Sequence, residues 1–146
     1  MTGINIQLLS PLAKVPTKGT RLSAGYDLYA ATDTETYIEP HQTVMVSTDI
    51  ALAIPVGTFG AIFARSGLAS KYGLRPANCV GVIDPDYRGT IMVALHNDTD
   101  HVQVIGAGER IAKLFLLPYF ETNFVKVDKL QGTTRGSGGF GSTGKV

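Results

Sequence analysis

The C-terminal segment 132–146 combines residue types that could close over a nucleotide. It contains six glycines, and among them stand Arg135, Phe140 and Ser142. Each glycine costs about 1 kcal/mol relative to alanine in a helix, so the composition does not favour a helix. Backbone N–H groups and hydroxyls suit phosphate oxygens, a guanidinium suits negative charge, and an aromatic ring suits a flat base. We interpret the segment as a nucleotide-closing arm; a flexible Gly/Ser linker is the alternative.

The same segment contains a partial phosphate-binding P-loop. Residues 139–145 match its first seven positions, but the motif needs Ser or Thr after the lysine to hold magnesium. Val146 stands there instead. The P-loop interpretation is therefore rejected.

Four further segments place polar residues or glycines where a strand would carry apolar ones. They are Asp27 between apolar neighbours, the run 65–67 (Arg-Ser-Gly), the segment 78–89 with two carboxylates and a tyrosine, and the run 108–115. A glycine and a hydroxyl at the start of a helix suit an anion. Turn, capping and hairpin chemistry is the alternative for each segment taken alone.

The elements that must position these residues are short strands separated by turns. Regular short strands of this kind predict an all-β sandwich, barrel or jelly roll. Only Ser66 to Tyr72 is predicted to form a helix, with Gly73 ending it. The predicted strands are 4–8, 44–54, 59–63, 80–83, 91–95, 101–105, 111–117 and 124–128.

Composition narrows the possible functions. The 146 residues fit one domain, and the net charge of +1 without Lys/Arg clusters argues against nucleic-acid binding. There is no run of eighteen apolar residues and no signal-peptide pattern, so neither a membrane span nor secretion is expected. The lone Cys79 is expected to be a small buried hydrophobe in a reducing, cytoplasmic protein. No Cys/His cluster indicates zinc.

Together, in this order and spacing, the five segments resemble the motifs of trimeric deoxyuridine triphosphate nucleotidohydrolases (dUTPases). The resemblance covers residues from about 20 to 143 and implies hydrolysis of dUTP to dUMP and pyrophosphate. That reaction would keep uracil out of DNA and supply dUMP for thymidylate synthesis. The implied fold is a distorted jelly-roll (β-clip) domain, residues 1–131, with one short helix and a C-terminal arm, residues 132–146. A homotrimer with sites between subunits and an Mg²⁺ cofactor are also implied.

The resemblance assigns a nucleoside half of the site. Asn78 with the backbone at Val82 and Ile83 would contact the uracil edge, and Met92 would line the pocket. Tyr87 would pack under the deoxyribose and leave no room for a 2′-hydroxyl. Asp84 would hold the 3′-hydroxyl and act as the general base that orients the attacking water.

It also assigns a phosphate half. Asp27 would reach magnesium through water, and Arg135 would bind the terminal phosphate. Phe140 would cover the uracil ring. The other predicted substrate contacts are Arg65, Ser66, Gly67, Lys113, Gly141 and Ser142. A triphosphate carries close to four negative charges, so its hydrolysis calls for cationic and N–H donors rather than a protein nucleophile.

Three departures from the family pattern, and two rival functions, qualify this interpretation. Ala64 replaces a common proline, Lys113 replaces a common glutamine, and Pro85 stiffens the turn after the proposed base. A related dCTP deaminase would need a glutamate where Ala94 stands, and alanine cannot shuttle protons. A nucleotide-sensing binder without catalysis is the non-enzymatic alternative.

Overall fold

The computed structural model describes residues 3–140 and Ser142. Short strands dominate this part of the chain, as the alternation of apolar residues predicts, and there is one helix, α1 (Ser66–Tyr72). The strands are β1 (Asn5–Leu8), β2 (Tyr26–Tyr29), β3 (Thr36–Ile38), β4 (Thr43–Ser47), β5 (Ile50–Ala53), β6 (Thr58–Phe63), β7 (Leu74–Pro76), β8 (Gly81–Ile83), β9 (Met92–Asn97), β10 (Gln103–Ile105) and β11 (Arg110–Pro118).

The largest sheet carries most of the predicted site. Its strand order is β2-β11-β6-β8, so the long strand β11 lies at its centre. A three-stranded sheet follows the order β4-β9-β7, and two further pairs join β1 to β5 and β3 to β10. Residues of both larger sheets, including Leu28, Ile62, Val93 and Leu95, share one buried apolar core. The sheets therefore surround a single core, and the edges of the sheets remain available for function.

The helix prediction is confirmed at both ends. Gly73 follows the last helical residue with φ +61°, a left-handed conformation that glycine adopts without the steric cost of a side chain. The residue before the helix is Arg65, in extended conformation, so Ser66 is the first helical residue rather than the cap. In the described part of the chain, no helix has the length and apolar character needed to cross a membrane.

The predicted strand 44–54 is two strands. Asp49 interrupts it with φ +48°, and its backbone N–H donates to the Ser47 hydroxyl over 3.1 Å. That hydroxyl in turn donates to the Asp49 carboxylate, and this hydrogen bond lowers the pKa of the carboxyl below its usual range. Period-2 alternation cannot reveal such a break, because the side-chain pattern resumes in β5.

The strand predicted at 124–128 is wrong for the chain described here. This stretch forms no strand and its residues are exposed, with Phe124 almost fully accessible. It pairs with none of the four described sheets. The pattern missed β2, β3 and β7, which are only three or four residues long and show too little alternation to be distinguished from turns.

Candidate active site

The edge strand β8 of the large sheet and the turn that follows it form the nucleoside half of the site, and we call this segment, residues 81–89, the hairpin. Strand β8 pairs antiparallel with β6, and the chain turns immediately after Ile83. One face of this hairpin borders a cleft of about 320 Å³, in the range typical of small-molecule pockets. Five predicted residues line it together with Met45 and Thr90: Val82, Ile83, Asp84, Tyr87 and Met92.

The ring of Tyr87 is held in place by its neighbours. Its hydroxyl donates to the Thr90 carbonyl over 3.1 Å, and its backbone N–H donates to the Asp84 carbonyl over 3.2 Å. A Cβ on Gly89 would lie 2.5 Å from the tyrosine hydroxyl oxygen, so no other residue fits at 89 without moving the ring. Gly89 is thus a positioning residue that sequence reasoning treated only as part of a turn.

The carboxylate of Asp84 is exposed at the rim of the cleft. It also borders a second, wider cleft of about 740 Å³ on the other side of the hairpin, lined by Val56, Phe59, Val82, Pro85, Asp86 and Tyr119. Aliphatic and aromatic groups dominate that surface. An exposed carboxylate between two clefts can contact both a ligand and a water molecule.

Asn78 and Cys79 lie just before the hairpin. Asn78 is exposed and does not border the nucleoside cleft, although its amide nitrogen would lie 3.6 Å from a Cβ on Gly81. The expectation that Cys79 is buried is wrong, since this residue is exposed with φ +61°. The turn between β7 and β8 imposes that conformation and places the thiol outside the core.

A buried carboxylate organises the phosphate half. Asp27 is 2% exposed and lies on β2 directly opposite Lys113 of β11. Its Oδ1 is 3.2 Å from Lys113 Nζ and 3.4 Å from Arg65 Nε, and its Oδ2 accepts a hydrogen bond of 3.3 Å from Arg110 Nη1. We call these four residues the cation cluster.

The cation cluster carries excess positive charge. Three cations and one carboxylate leave a net charge of +2, and the side chains of Arg65, Arg110 and Lys113 are 22%, 49% and 30% exposed. Arg65 also donates to the Arg110 carbonyl over 2.9 Å, which joins the end of β6 to the start of β11. Cationic side chains that are partly exposed and held in place by one buried carboxylate are suited to binding phosphate.

Arg110 is a site residue that the sequence pattern does not indicate. Its position three residues before Lys113 is typical of a turn that leads into a buried strand. A bulge in the β11–β2 pairing falls between Arg110 and Ala112, and the guanidinium nevertheless reaches Asp27. The only sequence signal for the role of Arg110 is the concentration of charged residues in the segment 108–113.

The residues around Asp27 do not fit a magnesium ion. A carboxylate is the right ligand type for this hard cation, but Mg²⁺ keeps most of its water shell and needs room for it. Both oxygens of Asp27 already face cationic groups, and Oδ1 is buried. Within residues 3–140 and 142 there is no group of three His, Cys, Asp or Glu side chains placed to hold a metal. The expected water-mediated contact between Asp27 and magnesium stays a prediction.

The remaining predicted phosphate contacts lie at the start of α1. Ser66 and Gly67 are exposed, and nothing lies within 4 Å of a Cβ built on Gly67. Because Arg65 immediately precedes them, a phosphate bound at the cation cluster would lie beside this first helical turn.

The two halves of the site are far apart within one chain. Strand β8 is two strands from β11, about 10 Å across the sheet. Ile83 pairs with Gly60, which pairs with Leu116, so the hairpin is also displaced from Lys113 by three residues or about 10 Å along the strands. The residues lining the nucleoside cleft include no member of the cation cluster.

The described residues of the arm, 132–140 and 142, line neither the nucleoside cleft nor the cation cluster. Arg135 is exposed, and the ring of Phe140 is fully exposed, with its backbone in a left-handed conformation of φ +48°. Turns at 133–136 and 139–142 give the arm its local shape, through the hydrogen bonds from Gly136 N–H to the Thr133 carbonyl and from Ser142 N–H to the Gly139 carbonyl. Gly141 lies outside the described residues.

Comparison with known proteins gives one consistent result. Residues 12–144 match the family model described as dUTPase. The chain is 52% identical over 132 residues to a deoxyuridine 5′-triphosphate nucleotidohydrolase of Desulfitobacterium hafniense, covering 90% of this chain and 87% of the relative. It is 45% identical over 144 residues to the same enzyme of Candida albicans, covering 97% and 88%.

A solved structure gives the same result for the fold. The structure of the Staphylococcus bacteriophage 80alpha dUTPase G164S mutant with dUpNHpp superposes with a TM-score of 0.90. The two sequences are 28% identical, and the match covers 99% of each chain. The expected jelly-roll-like β-clip fold is therefore confirmed.

Proposed function

The chain belongs to the dUTPase family, and we propose that it hydrolyses dUTP to dUMP and pyrophosphate in a site shared between subunits. The observation that carries the shared site is the separation of the nucleoside cleft from the cation cluster within one chain. A nucleotide that used both halves of a single chain would have to cross two strands. A hairpin of one subunit meeting the cation cluster of the next removes that difficulty.

The nucleoside half gives specificity in this proposal. The backbone at Val82 and Ile83, which line the cleft, contacts the hydrogen-bonding edge of uracil. Asn78 lies outside the cleft in the free chain, and in this proposal its side chain turns towards the base when the nucleotide binds. Met92 and Tyr87 close the sides of the cleft. The tyrosine ring is held by its hydrogen bond to the Thr90 carbonyl and by the close approach of Gly89, and this fixed position supports its proposed role of excluding a ribose 2′-hydroxyl.

The reaction itself needs one general base. Asp84 holds the sugar 3′-hydroxyl and orients a water molecule for in-line attack on the α-phosphorus. It accepts a proton from that water as the bond from phosphorus to the pyrophosphate oxygen breaks. The exposed position of its carboxylate at the cleft rim leaves room for both contacts.

The phosphate half stabilises the charge that develops on the leaving pyrophosphate. Arg65, Arg110 and Lys113 supply cationic donors, with N–H and hydroxyl groups at Ser66 and Gly67 beside them. Preorganised donors of this kind account for much of the acceleration in phosphoryl transfer. Magnesium enters the proposal as the cofactor that accompanies the triphosphate and neutralises part of its charge.

The arm completes the site from a further subunit. Arg135 binds the terminal phosphate, Phe140 stacks on uracil, and Gly141 and Ser142 supply N–H and hydroxyl donors. The homotrimer is the smallest closed ring in which hairpin, cation cluster and arm come from different copies. The domain division at 131/132 and a cytoplasmic location belong to the same proposal.

Light scattering is expected to give the mass of three chains. A site shared between subunits requires neighbouring copies, and the described residues of the arm make hydrogen bonds only within the arm, which leaves it available to another subunit. The matched comparison is specific activity across a dilution series, which should fall when the trimer dissociates. A stable monomer with full activity would rule out the shared site.

Pyrophosphate release is expected to be fast with dUTP and much slower with dTTP, dCTP and UTP. The tight hairpin pocket rejects the thymine methyl group, and Tyr87 rejects the 2′-hydroxyl; discrimination of this kind reaches about 10⁴-fold. A coupled pyrophosphate assay across the four nucleotides measures it. Comparable rates with dUTP and dTTP would contradict the proposal, ammonia release from dCTP would indicate the deaminase, and binding without turnover would indicate a nucleotide sensor.

A further inference from the structure

The position of Lys113 is fixed by the sheet. Lys113 and Asp27 are direct cross-strand partners in the antiparallel pair β11–β2, so their β-carbons lie close together on one face. The ammonium group is 3.2 Å from Asp27 Oδ1. This pairing belongs to the folded backbone and does not need a ligand to form.

The ion pair with Lys113 lies at Oδ1 of Asp27, a buried oxygen that accepts no hydrogen bond from the described residues. Asp27 is 2% exposed, and its other oxygen accepts the hydrogen bond from Arg110. An ion that reached Oδ1 would have to displace Lys113 and bring its water shell into a buried position. Two like charges competing for one carboxylate oxygen disfavour that arrangement.

We propose that Lys113 is a built-in cation of the phosphate site. Its charge makes triphosphate binding by this chain less dependent on magnesium than binding would be if residue 113 were neutral. Asp27 holds Lys113, Arg65 and Arg110 together, and their surplus charge of +2 faces the phosphates directly. The inference rests on the proposed function, because it assumes that the cation cluster receives the triphosphate. No step of the hydrolysis changes; only the source of positive charge beside Asp27 does.

The test compares binding of dUpNHpp at increasing magnesium concentrations by isothermal titration calorimetry. Lys113→Gln removes the positive charge and keeps a polar side chain, whereas Lys113→Arg keeps the charge. The control variant Lys129→Gln removes a positive charge elsewhere, from an exposed lysine in the segment after β11. Without magnesium, Lys113→Gln is expected to bind the analogue about ten- to a hundredfold more weakly than the wild type. Added magnesium should remove most of that difference, while Lys113→Arg and Lys129→Gln follow the wild type.

Parallel magnesium curves for the wild type and Lys113→Gln would overturn the inference. If Lys113→Gln does not fold, Lys113→Met, which also removes the charge and keeps a long side chain, takes its place, and parallel magnesium curves for this variant and the wild type would overturn the inference in the same way. Failure of the proposed function has a different signature, namely no hydrolysis of dUTP and no binding of the analogue by the wild type at any magnesium concentration.

Discussion

Replacement of Asp84 by asparagine is expected to leave dUTP binding nearly intact and to slow hydrolysis by about 10²- to 10⁴-fold. Asparagine is nearly isosteric and still meets the sugar 3′-hydroxyl, but it cannot accept a proton from water. Single-turnover kinetics, with substrate affinity measured separately, distinguish the lost chemical step from lost binding.

The neighbouring carboxylate provides the matched control for this variant. Asp86 lies two residues away in the same turn and borders the wider cleft rather than the nucleoside cleft. Asp86→Asn is expected to retain most of the activity. The reverse result, with Asp84→Asn active and Asp86→Asn inactive, would move the general base to Asp86.

Removal of residues 135–146 is expected to abolish most activity and leave a folded trimer. The described part of this segment makes only local contacts and buries no large apolar side chain in the core, so its loss costs the fold little. With substrate bound, the deletion removes Arg135 from the terminal phosphate and Phe140 from the base. Light scattering and thermal unfolding monitor the fold, and kcat/KM for dUTP measures the function.

Point variants separate the two contributions of the arm. Phe140→Ala is expected to lower kcat/KM by about ten- to a hundredfold, since stacking on a base contributes roughly 1–3 kcal/mol. Phe140→Tyr keeps the ring and should retain most activity. Arg135→Ala should penalise dUTP more than dUDP, because only dUTP has the phosphate that it reaches. Unchanged kcat/KM after truncation would show that the segment is a linker.

The nucleoside half of the site was predictable from sequence because it is local. Val82, Ile83, Asp84 and Tyr87 follow closely on one another through a strand and a turn, and they line one cleft with Met92. The helix 66–72 was predictable for the same reason, since the glycine that ends it directly follows it in the sequence. The exposure of Cys79 was not predictable, because this cysteine lies in a turn with a left-handed backbone conformation rather than in the core.

The phosphate half depends on contacts that no spacing reveals. Asp27 and Lys113 are 86 positions apart, and only the β11–β2 register makes them neighbours. Arg110 joins the cluster across a bulge that side-chain alternation cannot show. The strand predicted at 124–128 fails for a related reason, since its exposed apolar residues pair with none of the described sheets, and side-chain alternation cannot show whether a strand has a partner.

Mixed trimers test the shared site most directly. Asp84→Asn subunits, which keep the arm, are co-refolded in equal amounts with subunits truncated before Arg135, which keep Asp84. If hairpin and arm come from different copies, every hybrid trimer has one intact site, and random assembly restores about one quarter of the wild-type activity. If each chain builds its own site, no hybrid contains an intact one, and activity that stays at the level of the two parent variants would contradict the account.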